Sequence, residues 1–465
     1  MKLKKFFGDK TFYRRMFAVM LPVLAQNVIT NFVNLLDNIM VGQVGTEPMS
    51  GVAIVNQLLF IFNLCTMSGV SGAGILTAQF HGKGDTEGVR YTFRMKMLIS
   101  LSTFAVFTAI FAIWHKDLIS LFLHEGEESL DLAAALTYGT DYMIVMLFQL
   151  LPFALIQVYA STLRETGETV LPMKAGIVAI FVNLVLNYIL IFGKLGVPAM
   201  GVKGAAIATV IARITEALIV IIWTHHNKKK NQYIKGVFSS FRIPVPIMKK
   251  VIVLGMPLLI NELLWSAGKT VLNQCYSMRG LEVVTAVNIS STISMLFFCA
   301  FFAMGTTVSI MVGQLLGAGK LEEAVDTDRK LITFSVLLCA AVGAVMALLA
   351  PFIPEIYKTT DTVKHIAKDM LFVTAAMMPA SALVHSCYFT LRSGGKTLIT
   401  FIFDSVFMWV VNVSTGFIIS RFTTLPIIPM FIIVQSEEII KAVIGLILVK
   451  SKRWVQTLVN DKAAA

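Results

Sequence analysis

A repeat restricts the fold of this sequence more than any other feature. Residues 22–84 align without a gap with residues 257–319, which lie 235 positions later. Twelve of the 63 aligned pairs are identical, and they include pairs that apolar composition alone does not readily match, such as Pro22/Pro257 and Gln79/Gln314. Internal repeats of this kind recur in membrane proteins. The sequence therefore predicts two equivalent halves.

The composition places both halves in a lipid bilayer. Hydrophobic residues make up 56% of the chain and charged residues only 14%, with a mean hydropathy of +0.77, whereas soluble domains carry about 25% charged residues. Apolar runs of about 20 residues, the length that crosses a bilayer as a helix, recur along the chain. We predict an all-α membrane protein with twelve transmembrane helices, at residues 14–40, 50–79, 91–114, 132–160, 169–193, 200–225, 250–276, 284–313, 330–353, 364–390, 397–420 and 427–449.

The distribution of Lys and Arg predicts the topology. With the N-terminus inside, the inner segments hold 28 of the 39 basic residues and the outer loops hold 8. Inner loops of membrane proteins are enriched in Lys and Arg, so we expect a multi-pass protein of the cell membrane with both termini in the cytoplasm. Anionic lipid headgroups then account for the net charge of +12, and no nucleic-acid partner is needed.

The longest polar break predicts the domain boundary. We expect an N-terminal lobe at 1–225, a basic cytoplasmic linker at 226–249, and a C-terminal lobe with a short cytoplasmic tail at 250–465. Six helices return the chain to the side where it began. The two lobes are therefore parallel repeats related by a pseudo-two-fold axis along the membrane normal.

Asp37 is the acid that most needs an explanation. No Lys or Arg lies within ten residues of it, and a carboxylate at the bilayer centre costs about 2.5–3.5 kcal/mol. Asn183 and Asn187 stack four residues apart in the fifth span, and Thr209 follows in the sixth. Their oxygen atoms suit Na⁺, for which Asp37, Asn183 and Asn187 would be the metal ligands, and the acid alone can carry H⁺. The alternative is helix–helix hydrogen bonding by buried polar side chains.

A second group of residues provides candidates for an organic substrate. Asn34 lies three residues before Asp37 in the first span, and Glu262 and Trp265 share one face of the seventh span. An acid beside an indole suits a lipophilic cation. Lys269 lies further along that face, with Asp404 of the eleventh span as a possible cross-helix partner. A salt bridge with a packing Trp explains the same residues without a substrate.

Four other charged residues within spans predict local pairs. Arg213 with Glu216 and Glu437 with Lys441 lie three and four residues apart, so each pair can neutralise itself on one helix face. In the second repeat, Leu272 stands where Asp37 stands in the first. We therefore expect the cation site in the first lobe only.

The sequence contains no motif of an enzyme. It has no HExxH sequence and no phosphate-binding loop. We therefore predict a protein without enzymatic activity or cofactor, apart from a coupling ion. The partners we expect are a small organic molecule, a cation and the lipid bilayer, and we expect a monomer because the sequence carries no oligomer signal.

Several short motifs, in this order, resemble those of the multidrug and toxic compound extrusion (MATE) transporters, which belong to the multidrug/oligosaccharidyl-lipid/polysaccharide exporter superfamily. They are Asp37–Gly45, Ala78–Gly84, Leu163–Gly167, Asn183–Asn187 and Gly201–Thr209. The resemblance covers essentially the whole chain. It implies a secondary antiporter that exports drugs or metabolites in exchange for Na⁺ or H⁺, with a cation site at Asp37, Asn183, Asn187 and Thr209.

The sequence departs from the family pattern at three positions. Asn187 stands where some members carry a second Asp, Ser381 replaces an Asp of the tenth span, and Glu262 comes earlier after Pro257 than the acid of other members. The first departure leaves the identity of the coupling ion open, and the other two argue against a cation route through the second lobe. A lipid or lipid-linked precursor flippase of the same superfamily is the alternative function.

Overall fold

The computed structural model describes residues 5–122, 131–240 and 242–459, without the side chains of Asn34, Leu35, Asn38, Ile39 and Thr46. In this part of the chain twelve long helices follow one another, and it contains no strand. They are α1 (Lys10–Gly42), α2 (Thr46–Lys83), α3 (Thr86–Ser120), α4 (Leu132–Glu165), α5 (Val170–Phe192), α6 (Gly201–His226), α7 (Val245–Ser277), α8 (Leu281–Gly317), α9 (Leu321–Leu349), α10 (Asp361–Ser393), α11 (Thr397–Phe422) and α12 (Ile427–Lys450).

Every predicted span is confirmed as a helix. Eleven of the helices, α1 to α11, are long and apolar enough to cross a membrane among the described residues. The twelfth, α12, carries Glu437, Glu438 and Lys441 in its middle and is the most charged of the set at that depth. The largest boundary error is at α9, which begins at Leu321 although the sequence predicts residue 330.

One helix departs from regular α geometry over much of its length. Within α11, Ile402–Val406 and Met408–Val413 form π-helix, whose turns are wider than those of an α-helix. Asp404 and Asn412 lie in these two segments. Wide turns of this kind are often found at functional sites, where they change the direction in which a side chain points.

The chain divides into two compact units. The N unit consists of Ala25–Thr77 and Thr86–Val251, and the C unit consists of Met1–Leu24, Ala78–Asp85 and Ile252–Ala465. The boundaries predicted for the lobes, at residues 225 and 250, stay a prediction.

The core of the N unit packs α2, α3 and α4 with the ends of α5 and α6. Phe62, Met143 and Leu150 are fully buried there. A Cβ on Gly51 would lie only 2.7 Å from the backbone nitrogen of Gly139, so glycine is required where α2 crosses α4. The C unit is built around α8, α9 and α10, with Met304, Leu331 and Leu391 in its core. In a bilayer the lipid tails are as apolar as these side chains, so close van der Waals packing holds each set of helices together.

Candidate cation site

The four residues predicted to bind a cation lie together in the N unit. Asn187 Nδ2 donates to Asp37 Oδ1 over 2.8 Å and also lies 3.1 Å from Asn183 Oδ1. Asn183 Nδ2 lies 3.3 Å from Thr209 Oγ1. The side chain of Asn187 is only 2% exposed. Helices α1, α5 and α6 thus each contribute at least one polar group to a single cluster.

Helical periodicity explains why α5 contributes two amides. Residues four apart lie one above the other on a helix, so Asn183 and Asn187 present neighbouring side chains to α1 and α6. The rest of the buried face of α5 consists of small or apolar residues, among them Ala175, Ala179 and Ile191. The two amides are therefore the polar groups of an otherwise apolar surface, and they need partners there.

The amide of Asn183 has a second favourable orientation. Rotated by half a turn, its nitrogen lies 3.0 and 2.9 Å from the two carboxylate oxygens of Asp37, and its oxygen lies 3.3 Å from the hydroxyl of Thr209. The hydrogen-bond network decides such orientations, because amide oxygen and nitrogen have nearly the same shape. In both orientations an amide N–H group donates to the carboxylate of Asp37.

No basic side chain neutralises Asp37. Among the described residues, no Lys, Arg or His nitrogen forms an ion pair with it; Arg213, on α6, pairs with Glu216 over 2.8 Å instead. The guanidinium of Arg213 also lies 5.7 Å from the ring centre of Phe153. The predicted pairing of Arg213 with Glu216 is confirmed. Asp37 therefore has no ion-pair partner among the described residues, and its direct side-chain contact is the hydrogen bond from Asn187.

A buried oxygen beside the acid has no hydrogen-bond partner. Asn187 Oδ1 finds none in the described part of the chain, and a buried polar atom without a partner costs about 1–3 kcal/mol. Together with the carboxylate oxygens and Thr209 Oγ1 it forms a set of hard oxygen donors. Such a set suits Na⁺, and the carboxylate by itself suits H⁺.

An apolar groove of about 800 Å³ lies on the neighbouring face of α5. It begins one turn beyond Asp37, at Met40, and ends at Lys194. Leu184 and Tyr188, each one residue after an asparagine of the site, also line it. The cation site thus lies beside a surface that can accommodate an apolar molecule.

The substrate candidates of the C unit lie in a different arrangement from the one predicted. Lys269 Nζ lies over the ring of Trp265, 5.8 Å from its centre, and Glu262 is partly buried. The proposed pairing of Lys269 with Asp404 is wrong, because Asp404 Oδ1 accepts from Lys441 Nζ over 2.6 Å. The side chain of Asn34 lies outside the described residues.

The predicted pairing of Glu437 with Lys441 is wrong for the same reason. Lys441 turns to α11, and Glu437 instead accepts from Asn412 Nδ2 over 2.7 Å. A contact between two helices replaces the local contact along α12. Helical spacing shows which groups can meet on one face of a helix, but it does not show which partners the adjacent helix provides.

Sequence reasoning missed Asn261, which belongs to the same network. Its Nδ2 donates to Asp404 Oδ2 over 3.0 Å, and its Oδ1 accepts from Ser405 Oγ over 2.8 Å. An uncharged amide beside Glu262 is easily overlooked. The available signal was the repeat itself, which aligns Asn261 with another amide, Gln26.

Comparisons with known proteins agree with one another. A sequence model of the MatE family matches residues 22–189 and 257–418, which is more than half of the chain. The probable multidrug resistance protein NorM of Thermotoga maritima is 24% identical over 439 residues, which cover 93% of this chain and 91% of the relative. The probable multidrug resistance protein YoeA of Bacillus subtilis is 24% identical and covers 90% and 89%.

Solved structures show the same fold. An outward-facing multidrug resistance MATE family transporter superposes with a TM-score of 0.86 at 20% identity, over 97% of both chains. A MOP superfamily transporter from Pyrococcus furiosus superposes with a TM-score of 0.85 at 20% identity, again over 97% of both chains. The binding pocket of that transporter has reverse polarity. At these identities the likeness concerns the fold alone.

Proposed function

This chain belongs to the MatE family of membrane transporters, and we propose that it exports small, cationic and amphipathic organic molecules in exchange for Na⁺ or H⁺. The protein is a multi-pass membrane transporter. For its location we propose the plasma membrane, with both termini in the cytoplasm, because Lys and Arg are concentrated in the loops on that side. We propose that it acts as a monomer.

The observation that carries the proposal is the carboxylate of Asp37. It accepts a hydrogen bond from Asn187 but has no basic partner in the described structure. A cation that binds there neutralises the charge and gains the oxygen of Asn187 as a ligand. If the cation binds one conformation of the transporter more tightly than the other, it shifts the equilibrium between them by that difference in affinity.

Export follows from reciprocal coupling. A cation that favours the conformation with low substrate affinity lowers the affinity for the substrate, and the substrate lowers the affinity for the cation by the same factor. Inward movement of the cation then drives outward movement of the substrate. The names of the relatives, which refer to multidrug resistance, support an organic substrate of broad chemistry.

Glu262 and Trp265 remain the candidates for contact with the substrate in the C unit. A half-buried acid next to an exposed indole attracts a cationic, flat molecule through charge and through the face of the ring. Asp404 is a weaker candidate because Lys441 already neutralises it. Lys269, which covers the ring of Trp265, is displaced from it when the substrate binds.

Transport into proteoliposomes tests the proposal. The purified protein takes up a fluorescent organic cation when either a Na⁺ gradient or a pH gradient is imposed, and the gradient that drives uptake identifies the ion. Asp37→Asn keeps the shape of the side chain and removes its charge, so we expect gradient-driven uptake to be lost. Wild-type uptake by this variant would refute the proposal.

Asp141→Asn is the matched control. Asp141 is also an acid of the N unit, but it is partly exposed and pairs with Lys203 over 3.1 Å. Its charge is therefore already balanced and accessible to water, and such pairs contribute about 0–1 kcal/mol. We expect this variant to transport at nearly the wild-type rate under both gradients.

A further inference from the structure

The C unit contains a buried acid that the predicted cation site does not include. Asp328 lies two turns into α9 and is 1% exposed. Its Oδ1 lies 2.5 Å from Oγ1 of Thr390, on α10. An O···O distance of this length shows a direct hydrogen bond between the hydroxyl and the carboxyl group.

The hydroxyl of Thr390 cannot serve two acceptors at full strength. Thr390 Oγ1 also lies 2.9 Å from the carbonyl oxygen of Ser386, four residues earlier on α10. This is the usual bond of a threonine to its own helix. A hydroxyl has one hydrogen. When that hydrogen is donated to Ser386, the hydrogen in the short contact must come from the carboxyl group of Asp328.

The surroundings favour a neutral carboxyl group. Among the described residues no basic nitrogen pairs with Asp328. Arg329, the next residue on α9, is directed toward Asp326, as is Lys330. The titratable group that α10 places beside Asp328 is the buried thiol of Cys387, which carries no positive charge. An ionised carboxylate without a partner is costly in such a place, and a protonated one is not.

The N unit has a different arrangement of charges around the threonine that corresponds to Thr390. Thr162 aligns with Thr390 at an offset of 228, and its hydroxyl lies 3.2 Å from Lys96 Nζ. That lysine is fully buried and forms an ion pair with Glu165. The residue aligned with Glu165 is Ser393. Beside the aligned threonines, the N unit therefore contains an ion pair, whereas the C unit contains a single acid.

Two further buried hydroxyl groups lie on the same two helices. Ser386 Oγ, one turn from Thr390 on α10, and Ser335 Oγ, two turns from Asp328 on α9, are buried and have no hydrogen-bond partner in the described structure. Hydroxyl groups both donate and accept, so they can pass a proton along.

We propose that Asp328 and Thr390 form a proton-binding site of the C unit, in which Asp328 holds an exchangeable proton at neutral pH. The site is separate from Asp37 and does not depend on which ion that residue binds. A carboxyl group that gives up this proton leaves a buried charge, so release requires that water or a cation reach the site.

Infrared spectroscopy of the full-length protein in lipid tests this proposal. A protonated carboxyl group has a carbonyl stretching band that is distinct from the bands of carboxylates. We expect such a band at neutral pH, a shift of the band in D₂O that shows exchange, and its loss in Asp328→Asn. Asp326→Asn, which removes an exposed acid two residues away, keeps the band.

Thr390→Val provides a test that does not depend on the Asp328 variant. It removes the hydroxyl that accepts the proton of Asp328 and keeps the shape of the side chain, so we expect the same band at a higher frequency. An unshifted band in Thr390→Val would overturn the proposal. A band that survives in Asp328→Asn, or the absence of any such band in the wild-type protein at neutral pH, would overturn it as well.

Discussion

Lys441 Nζ lies 2.6 Å from Asp404 Oδ1, so the acid of α11 forms an ion pair with a lysine, whereas Asp37 in the N unit forms none with any residue that the structure describes. The two acids are held in similar ways. Each accepts a hydrogen bond from an asparagine amide, Asn261 for Asp404 and Asn187 for Asp37. The two acids differ because Lys441 pairs with Asp404. A mobile cation at Asp37 would therefore do temporarily what Lys441 does permanently at Asp404.

We expect Lys441→Met to destabilise the protein strongly. Removing one partner of a buried ion pair leaves an uncompensated charge, at a cost of about 3–5 kcal/mol. Because Asp404→Asn then removes that charge, the double variant is expected to recover most of the stability. Thermal unfolding in detergent measures both effects. Lys203→Met, in the exposed pair with Asp141, is the control and should change stability by less than about 1 kcal/mol.

Thr209→Val separates the two coupling ions. It replaces a hydroxyl by a methyl group of similar size and so removes one oxygen donor near Asp37. For Na⁺ we expect the half-saturating concentration in the transport assay to rise roughly tenfold, which corresponds to about 1.4 kcal/mol. For H⁺, which binds the carboxylate alone, we expect the dependence of transport on pH to be unchanged. Thr209→Ser keeps the oxygen and should behave as the wild-type protein with either ion.

Gly82→Ala should destabilise the C unit. A Cβ at Gly82 would overlap the backbone carbonyl of Gln314, and in the second repeat a Cβ at Gly317 would overlap that of Gln79. The backbone must move to make room, and overpacking of this kind costs about 1–3 kcal/mol. Unfolding temperature is the measurement, and Gly317→Ala should lower it to a similar extent. Ser71→Ala, on an accessible part of α2, should leave it within the experimental error.

Trp454→Ala tests the segment that follows α12. The indole is 1% exposed and belongs to the core of the C unit, where its Nε1 donates to the carbonyl oxygen of Val449. Loss of a buried Trp side chain costs about 3–5 kcal/mol. We expect a correspondingly lower unfolding temperature. The exposed neighbour Arg453, changed to Ala, is the control, and equal effects of the two substitutions would contradict a role for Trp454 in packing.

The same segment is attached to α2 by hydrogen bonds. Gln79 Oε1 accepts from the backbone nitrogen of Leu458 over 2.7 Å, and Gln79 Nε2 donates to the carbonyl oxygen of Ser393 over 3.0 Å. In Gln79→Leu, the backbone nitrogen of Leu458 and the carbonyl oxygen of Ser393 both lose their hydrogen bond to residue 79. We expect faster proteolysis after α12 in this variant than in the wild-type protein. Unchanged proteolysis would show that the other contacts of the segment, such as the hydrogen bond from Thr457 Oγ1 to the carbonyl oxygen of Leu316, hold it in place without Gln79.

The proximity of Asp37, Asn183 and Asn187 could be predicted from the sequence because it follows from helical geometry. A bilayer requires helices, residues four apart share a face, and an acid without a local partner marks a site. Those rules place Asn183 and Asn187 correctly. They do not say that the amide of Asn187 points its nitrogen at Asp37, since that depends on the packing of three helices.

The burial of Asp328 could not be predicted from the sequence. It lies in the run from Asp326 to Lys330, whose charges are typical of a loop, and the sequence therefore predicts that α9 begins after it. The helix in fact begins at Leu321, and its periodicity turns Asp328 inward while Asp326 stays exposed. Only the face of the helix distinguishes the two acids.

The alignment of the two repeats fails in α11 because its helix is irregular. At an offset of 228, Val411 aligns with Asn183, yet it is Asn412 that bonds to Glu437, the residue aligned with Thr209. A π-helical turn contains an additional residue, so the side chains after it are displaced along the sequence. Asn412 thus makes the contact with Glu437 that Asn183 makes with Thr209.

The wide turns of α11 also affect how this helix can respond to a change of charge. Such a turn is a discontinuity at which a helix can bend or slide by one residue without melting. Asp404 lies within one of these π-helical segments, and Lys441 of α12 forms an ion pair with it. A change in this ion pair therefore acts on a stretch of α11 that already departs from regular α geometry.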